Sequence, residues 1–150
     1  MDALEVIFER RSCRNYCDAP ISREMVETIL LAGMSAPSAV DSKPWEFLVV
    51  EDDMLKGELS NVNPNWWMLK QAPVGIIIMA NISSYRSRTT EFFVQDCACS
   101  AMCMLLAVDA LGLGGVYLGL YPKQLEMNKV RALFEIPESI IPFSILAFGH

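Results

Sequence analysis

The sequence predicts an α+β domain in which helices cover a mixed β-sheet. Val74 to Ala80 is a continuous apolar run after Pro73, the mark of a strand buried on both faces. From Glu91 to Leu111 the pattern is helical and apolar nearly all round, as in a helix at the centre of a domain or in a subunit interface. Helices and buried strands alternate without strict βαβ regularity, which suggests a mixed sheet covered by helices. A chain of 150 residues, 53% of them apolar, is long enough for one domain with a real core and too short for two comfortable ones.

Each element has its own signal. Residues 2 to 9 read as a short amphipathic helix, with Asp2 as cap, Glu5 three positions on, and Leu4, Ile7 and Phe8 on one face. Ser22 caps a second helix over 23–35, where Met25, Val26, Ile29, Leu30 and Met34 are spaced for burial. The loop from Ala36 to Trp45 leads into an apolar strand of Phe47, Leu48, Val49 and Val50. Residues 53 to 70 form one or two short helical pieces around Asn61 to Asn65. They carry the adjacent Trp66 and Trp67, one for the core and one for a ligand or partner, since neighbours on a helix do not share a face. Asn81 to Thr90 is a polar, charged loop. Gly112, Gly114 and Gly115 end the long apolar helix, and Val116 to Leu120 makes a strand leading to Tyr121 and Pro122. An amphipathic helix over 123–134 uses Leu125, Val130 and Leu133, and Phe143 to Phe148 is the last strand.

Charge and cysteine usage exclude several classes. A net charge of -6 argues against a nucleic-acid or anionic-membrane surface, although a small anion could still find a local basic pocket. No secretory pattern opens the chain, and no run is expected to approach membrane-spanning length, because Asp109 breaks the apolar stretch through Leu105 and Leu106. The reading is a soluble protein. The five cysteines, Cys13, Cys17, Cys97, Cys99 and Cys103, contain no C-x-x-C pair and fit a reducing cytoplasm. With His150 the only histidine, a metal site is not expected, and the helical trio Cys97, Cys99 and Cys103 reads as small buried hydrophobes.

Two stretches could carry chemistry. Arg10, Arg11, Ser12 and Arg14 crowd basic side chains at the end of the first helix of an acidic protein. Cations there compensate a helix dipole; equally, guanidinium forks and a hydroxyl can clamp a phosphate. The loop Ala36-Pro37-Ser38-Ala39-Val40-Asp41-Ser42-Lys43-Pro44-Trp45 cannot be helical before either proline, so its peptide groups are free to face a polar ligand. Taken alone, it is also an ordinary capped connection.

Taken together, Arg10-Arg11-Ser12-Cys13-Arg14, the Ala36–Trp45 loop, Ala72-Pro73 before a strand, and Asp96 through Leu111-Gly112-Leu113-Gly114 resemble, in that order, the FMN-dependent nitroreductase family. The chain reads as a short member. The resemblance implies a central mixed sheet of about four to five strands flanked by helices. It also implies an intertwined homodimer with one FMN in each of two clefts between subunits. Hydride from NADH or NADPH would pass through flavin N5 to a nitroaromatic, quinone or similar small aromatic acceptor. No catalytic side chain is nominated, because the protein need only stack the partners and limit water. By position, Arg10, Ser12 and Arg14, with Arg11 alongside, resemble the phosphate residues. Pro37, Ser38, Ala39 and Asp41 resemble the segment that reaches the flavin from the other subunit, and Gly119 and Leu120 the strand end where a backbone N–H meets N5. The long apolar helix would supply the dimer core.

Departures from the family pattern add expectations. Ala39, Asp41 and Lys43 stand where the family loop usually carries a second serine, asparagine and glutamine. Lys43 either places positive charge near flavin N1 and O2 or pairs with Asp41 in solvent. Trp67 falls near a spot where some relatives have a lysine facing the flavin, and it could wall the substrate cleft; Trp66 reads as core. Relatives continue beyond the Phe148-Gly149-His150 end, which bears on dimer stability and FMN affinity. An FMN-binding carrier or sensor without turnover, and a scaffold that lost its cofactor, are the alternatives to an enzyme.

Overall fold

The computed structural model describes residues 2–85 and 90–150. Helix α1 spans Ala3–Glu9, and its start is the expected capping box: the Asp2 side chain accepts from the Leu4 N–H while Glu5 accepts from the Asp2 N–H at 3.2 Å. Helix α2, Arg23–Met34, begins at Ser22, whose Oγ accepts from the Met25 N–H at 3.2 Å. Strand β1 is Trp45–Val50 and helix α3 is Asp53–Val62, followed by a 3-10 helix over Pro64–Lys70. Strand β2 is Val74–Asn81, helix α4 is Phe93–Ala110, strand β3 is Gly114–Gly119, helix α5 is Gln124–Leu133 and strand β4 is Ile140–Gly149. Of the polar stretch expected over 81–90, Ile82–Ser84 forms a 3-10 turn, and residues 86–89 lie outside the described residues.

The four strands run in the order β1-β2-β4-β3, and every neighbouring pair is antiparallel. The expected mixed sheet is thereby corrected. Among the described residues the only parallel pairing outside the strands is a single bridge from Ser12 to Gly115. The run Val74–Ala80 suggested a strand sealed on both faces, and that part holds. Ile76 and Ile78 join the cluster under α2 and α4, while Ile77 and Met79 join the cluster under α3 and α5. Two helical layers seal an antiparallel sheet as completely as they would a parallel one.

By length and composition Thr90–Ala110 could cross a membrane, which corrects the expectation that no run approaches that length. In the fold it lies on the sheet, with Cys97, Ala101, Met104 and Val108 in the core. Its other side leaves Met102 exposed, and Phe92, just before the helix, is exposed as well. Helix α1 buries only Val6: Leu4, Ile7 and Phe8 are exposed, Phe8 to 70%. Met34 and Leu125, expected to be buried, are also exposed; Met34 lies in the last turn of α2 beside an exposed Leu31, and α5 buries Met127 and Val130 instead. Among the described residues, the exposed apolar side chains on α1, α2 and α4 are thus left uncovered.

Two glycines shape the path of the chain around β3. Gly112, with φ of 75°, ends the α4 segment in a left-handed conformation that a side chain would strain. A Cβ on Gly114 would lie 2.7 Å from the Cβ of Cys13, so its absence lets the segment after α1 run against β3.

Candidate functional site

Strand β3 is an edge strand, and its outer side is only partly covered. The N–H of Cys13 donates to the carbonyl of Gly115 at 2.9 Å, so Gly115 directs its backbone groups away from β4. In an antiparallel pair that direction repeats every second residue, and Tyr117 and Gly119 therefore also point their N–H and C=O outward. A cleft of about 420 Å³ opens along this edge, lined by Arg14, Trp67, Tyr117, Gly119, Tyr121 and Lys123, with Asn63 and Asn65 beside them. Among the described residues, no atom beyond its chain neighbours lies within 4 Å of where a Gly119 Cβ would be, so the backbone there is open to a ligand.

The walls of the cleft are held from behind. Trp66 is 2% exposed and anchors the 3-10 helix in the core, whereas Trp67 is 43% exposed and faces the cleft, so the adjacent tryptophans divide as expected. Asn63 Oδ1 accepts from the Asn65 N–H at 2.9 Å, and Asn63 Nδ2 donates to Glu126 Oε1 at 3.1 Å, tying the tryptophan segment to α5.

The arginine cluster divides. Arg14 is exposed and lines the cleft. Ser12 sits on the bridge to β3, and the N–H of Arg10 donates to the Val6 carbonyl at the end of α1. The Arg11 guanidinium donates to the carbonyls of Phe8 and Arg10 at 2.7 and 2.9 Å, the helix-terminus role that competed with phosphate binding in the sequence. Among the described residues, none of these arginines pairs with a carboxylate.

The proline-bounded loop forms a separate rigid unit. Ser38 Oγ accepts from the Lys43 N–H at 2.9 Å, and Asp41 pairs with Lys43 Nζ at 3.2 Å. Val40, Asp41 and Lys43 all have left-handed φ, of 48°, 54° and 45°. The residue before Pro44 is thus left-handed rather than extended. Asp96, buried in α4, accepts from the Ala39 N–H at 3.0 Å and from the Tyr85 hydroxyl. Burial, then the bond to Asp96, pushes the Tyr85 hydroxyl well above its ordinary pKa and keeps it a donor.

Within one chain these groups do not converge. Arg14 and Gly119 share the cleft; Pro37, Ser38, Ala39, Asp41 and Lys43 do not line it, and the Leu120 side chain is fully buried in the core under α5. Asp96, Tyr85, Lys123 and the two asparagines were not singled out from sequence as site residues. Asp96 alone had a signal, as a carboxylate in an apolar helix. A larger cavity, of about 490 Å³ near Tyr16 and Cys17, contains none of the predicted residues. Its buried cation, Lys56, is already bonded to the carbonyls of Ala72 and Pro73 and to Asp53, so the β3 cleft is the better candidate.

Residues 7–150 match the family model described as "Nitroreductase family". A Methanothermobacter thermautotrophicus protein whose name reads "Putative NADH dehydrogenase/NAD(P)H nitroreductase" is 42% identical over 150 residues, spanning all of this chain and 78% of its own. A crystal structure from Desulfovibrio desulfuricans, in complex with FMN, superposes with a TM-score of 0.87 at 29% identity, covering 100% of this chain and 86% of that one. The NADPH:FMN oxidoreductase of Vibrio harveyi, solved with NAD+, gives 0.88 at 25% identity over 99% of this chain and 68% of its own. The fold is that of the nitroreductase and FMN-reductase oxidoreductases. The chain belongs to the nitroreductase family.

Proposed function

We propose that this chain is an FMN-dependent NAD(P)H oxidoreductase that reduces a nitroaromatic, quinone or similar small aromatic acceptor. The observation that carries the reading is the β3 cleft, where a guanidinium with no ion-pair partner among the described residues, outward backbone groups at Gly119 and an exposed indole line one space. These residues fit a flavin mononucleotide, with a cation for the phosphate and a backbone N–H for the ring edge, while Trp67 walls the substrate side of the space. Arg14, with Arg10 and Ser12, holds the phosphate, and Arg11 caps α1 and contributes charge at a distance. Gly119 offers its N–H to the ring, and Leu120 fixes that strand end by its burial. FMN held by these residues would supply the redox chemistry, a hydride relay between nicotinamide and acceptor. The side chains bind, orient and exclude water.

The reading includes a homodimer. Leu4, Ile7, Phe8, Leu31, Met34, Phe92 and Met102 leave an apolar surface over α1, α2 and α4 that a second copy would cover. In that assembly the Pro37–Lys43 loop would reach the cofactor of the other subunit, with Ser38, Ala39 and Asp41 facing it, and Lys43, paired with Asp41 at 3.2 Å in the single chain, would bring positive charge to the ring on leaving that pair. Residues 1–150 act as one domain, and five free cysteines fit a reducing cytoplasm.

The test is the visible spectrum of purified protein supplied with FMN, before and after anaerobic NAD(P)H. Retained yellow colour that bleaches, and returns with air or a nitroaromatic, is the expected result. Bound FMN that never bleaches would make the protein a carrier or sensor, and a colourless dimer unaffected by FMN would make it a scaffold.

A further inference from the structure

The β3 cleft is lined by two cations, Arg14 and Lys123, and by no carboxylate. In a chain of net charge -6 that is a local reversal, and among the described residues neither cation forms an ion pair. The two stand at opposite ends. Arg14 follows Cys13, which is bonded to Gly115 at the start of β3; Lys123 lies beyond Gly119, in the turn where its N–H donates to the Leu120 carbonyl at 2.9 Å. Gly115 and Gly119 are four steps apart on an extended strand, roughly 13 Å. Arg14 is taken up by the cofactor phosphate in the reading above, which leaves Lys123 as the cation of the cleft without an assigned partner. Trp67 is linked to the Lys123 end. The Asn63–Glu126 hydrogen bond ties the segment carrying Trp67 to the helix that Lys123 caps, and it occupies the nearby carboxylate.

We propose that the acceptor reduced in this cleft is an aromatic molecule carrying a carboxylate or comparable anionic group, its ring stacked on Trp67 and its charge met by Lys123; this rests on the flavin reading above. Trp67 offers an apolar face with an edge in water, suited to a flat ring, and an ammonium at the rim discriminates by charge with little demand on shape.

The test titrates benzoate and its neutral isostere benzamide into FMN-supplied protein, read by tryptophan fluorescence. Benzoate should bind about tenfold more tightly, as one charge-assisted contact provides. Lys123→Met should abolish the preference, Lys123→Glu should invert it, and Trp67→Leu should weaken both ligands alike. In turnover, 4-nitrobenzoate should exceed 4-nitrobenzamide in kcat/KM by a similar ratio, through KM. Equal affinities in the unaltered protein, a preference that survives Lys123→Met, or a Lys123 effect confined to NADPH over NADH would overturn the proposal. The flavin absorbance reports separately: colourless protein that still prefers benzoate would sink the cofactor reading and leave the anion-facing station standing.

Discussion

Replacing Asp96 by leucine removes, at similar volume, the acceptor that joins two otherwise separate segments. The carboxylate takes a hydrogen bond from the Ala39 N–H at 3.0 Å and another from the Tyr85 hydroxyl, and it is 5% exposed. Hydrogen bonds to a charged group contribute about 1.5–3 kcal/mol each, and among the described residues the two donors left behind have no other partner, the Tyr85 hydroxyl being buried and the Ala39 N–H half-buried. Asp96→Leu should therefore cost about 3–5 kcal/mol, a large part of the stability of a small domain. Asp96→Asn keeps one acceptor oxygen but turns an amide N–H₂ toward the second donor, so about half that loss is expected. Urea unfolding by far-ultraviolet circular dichroism, at fixed protein concentration and with an unchanged m-value, measures both. Tyr85→Phe closes a double-mutant cycle and should show a coupling of roughly 1.5–3 kcal/mol with Asp96. A loss below about 0.5 kcal/mol for Asp96→Asn, or a Tyr85→Phe effect equal in both backgrounds, would refute the claim that this carboxylate holds the loop.

Arg14→Ala should weaken FMN binding at least tenfold by fluorescence titration, while Arg11→Ala, whose guanidinium already caps α1, should change it less than about threefold; comparable losses would show that the cluster acts as one clamp. The Cys97 thiol is pushed up to about 12 by burial, then by the nearby Asp96 charge, from an ordinary 9.0. Above pH 9 the unfolded chain loses that proton while the native one keeps it, so stability is full below pH 9 and falls toward pH 12, by about 1.4 kcal/mol per unit from this group. Cys97→Ala should reduce that slope between about pH 9 and 10, before Tyr16 and Tyr85 add theirs in the same direction, and an unaltered slope would rule the cause out. Val40 is exposed and left-handed, so Val40→Gly should raise stability by about 0.5–1 kcal/mol, the relief of backbone strain less the added chain entropy. Cys99 is exposed on the bare side of α4, and the homodimer would cover it: Ellman's reagent should label Cys17 quickly at any concentration and Cys99 only on dilution, and rapid labelling of both at high concentration would remove α4 from the interface.

Local signals in the sequence were strong wherever a single element decides them. Asp2 with Glu5, Ser22, and the run Val74–Ala80 each mark a cap or a buried strand, and each is where expected. Strand direction was not legible, because apolar residues on both sides of β2 report that both faces are covered and carry nothing about the orientation of its neighbours. Exposure on α1 was hidden for a similar reason: Leu4, Ile7 and Phe8 mark an apolar face without saying which molecule covers it. At the site, Arg14 and Gly119 were legible as motif positions, whereas Lys123 and Asn63 enter through tertiary contacts between α5 and the tryptophan segment. The left-handed turn at Lys43 was hidden by the proline after it, whose usual effect is to extend the preceding residue.

The open rim of β3 bears on how such a protein can change over time. Its central strands are locked between two helical layers, and any new side chain there would have to be repacked on both sides at once. On the reading proposed above, the working surface would borrow its contacts from peptide groups at the margin, which nearly every residue type supplies alike. Replacements at Trp67, Tyr117 or Lys123 can therefore alter what is welcomed at the margin while the barrier to melting, set by the sealed centre, stays where it was.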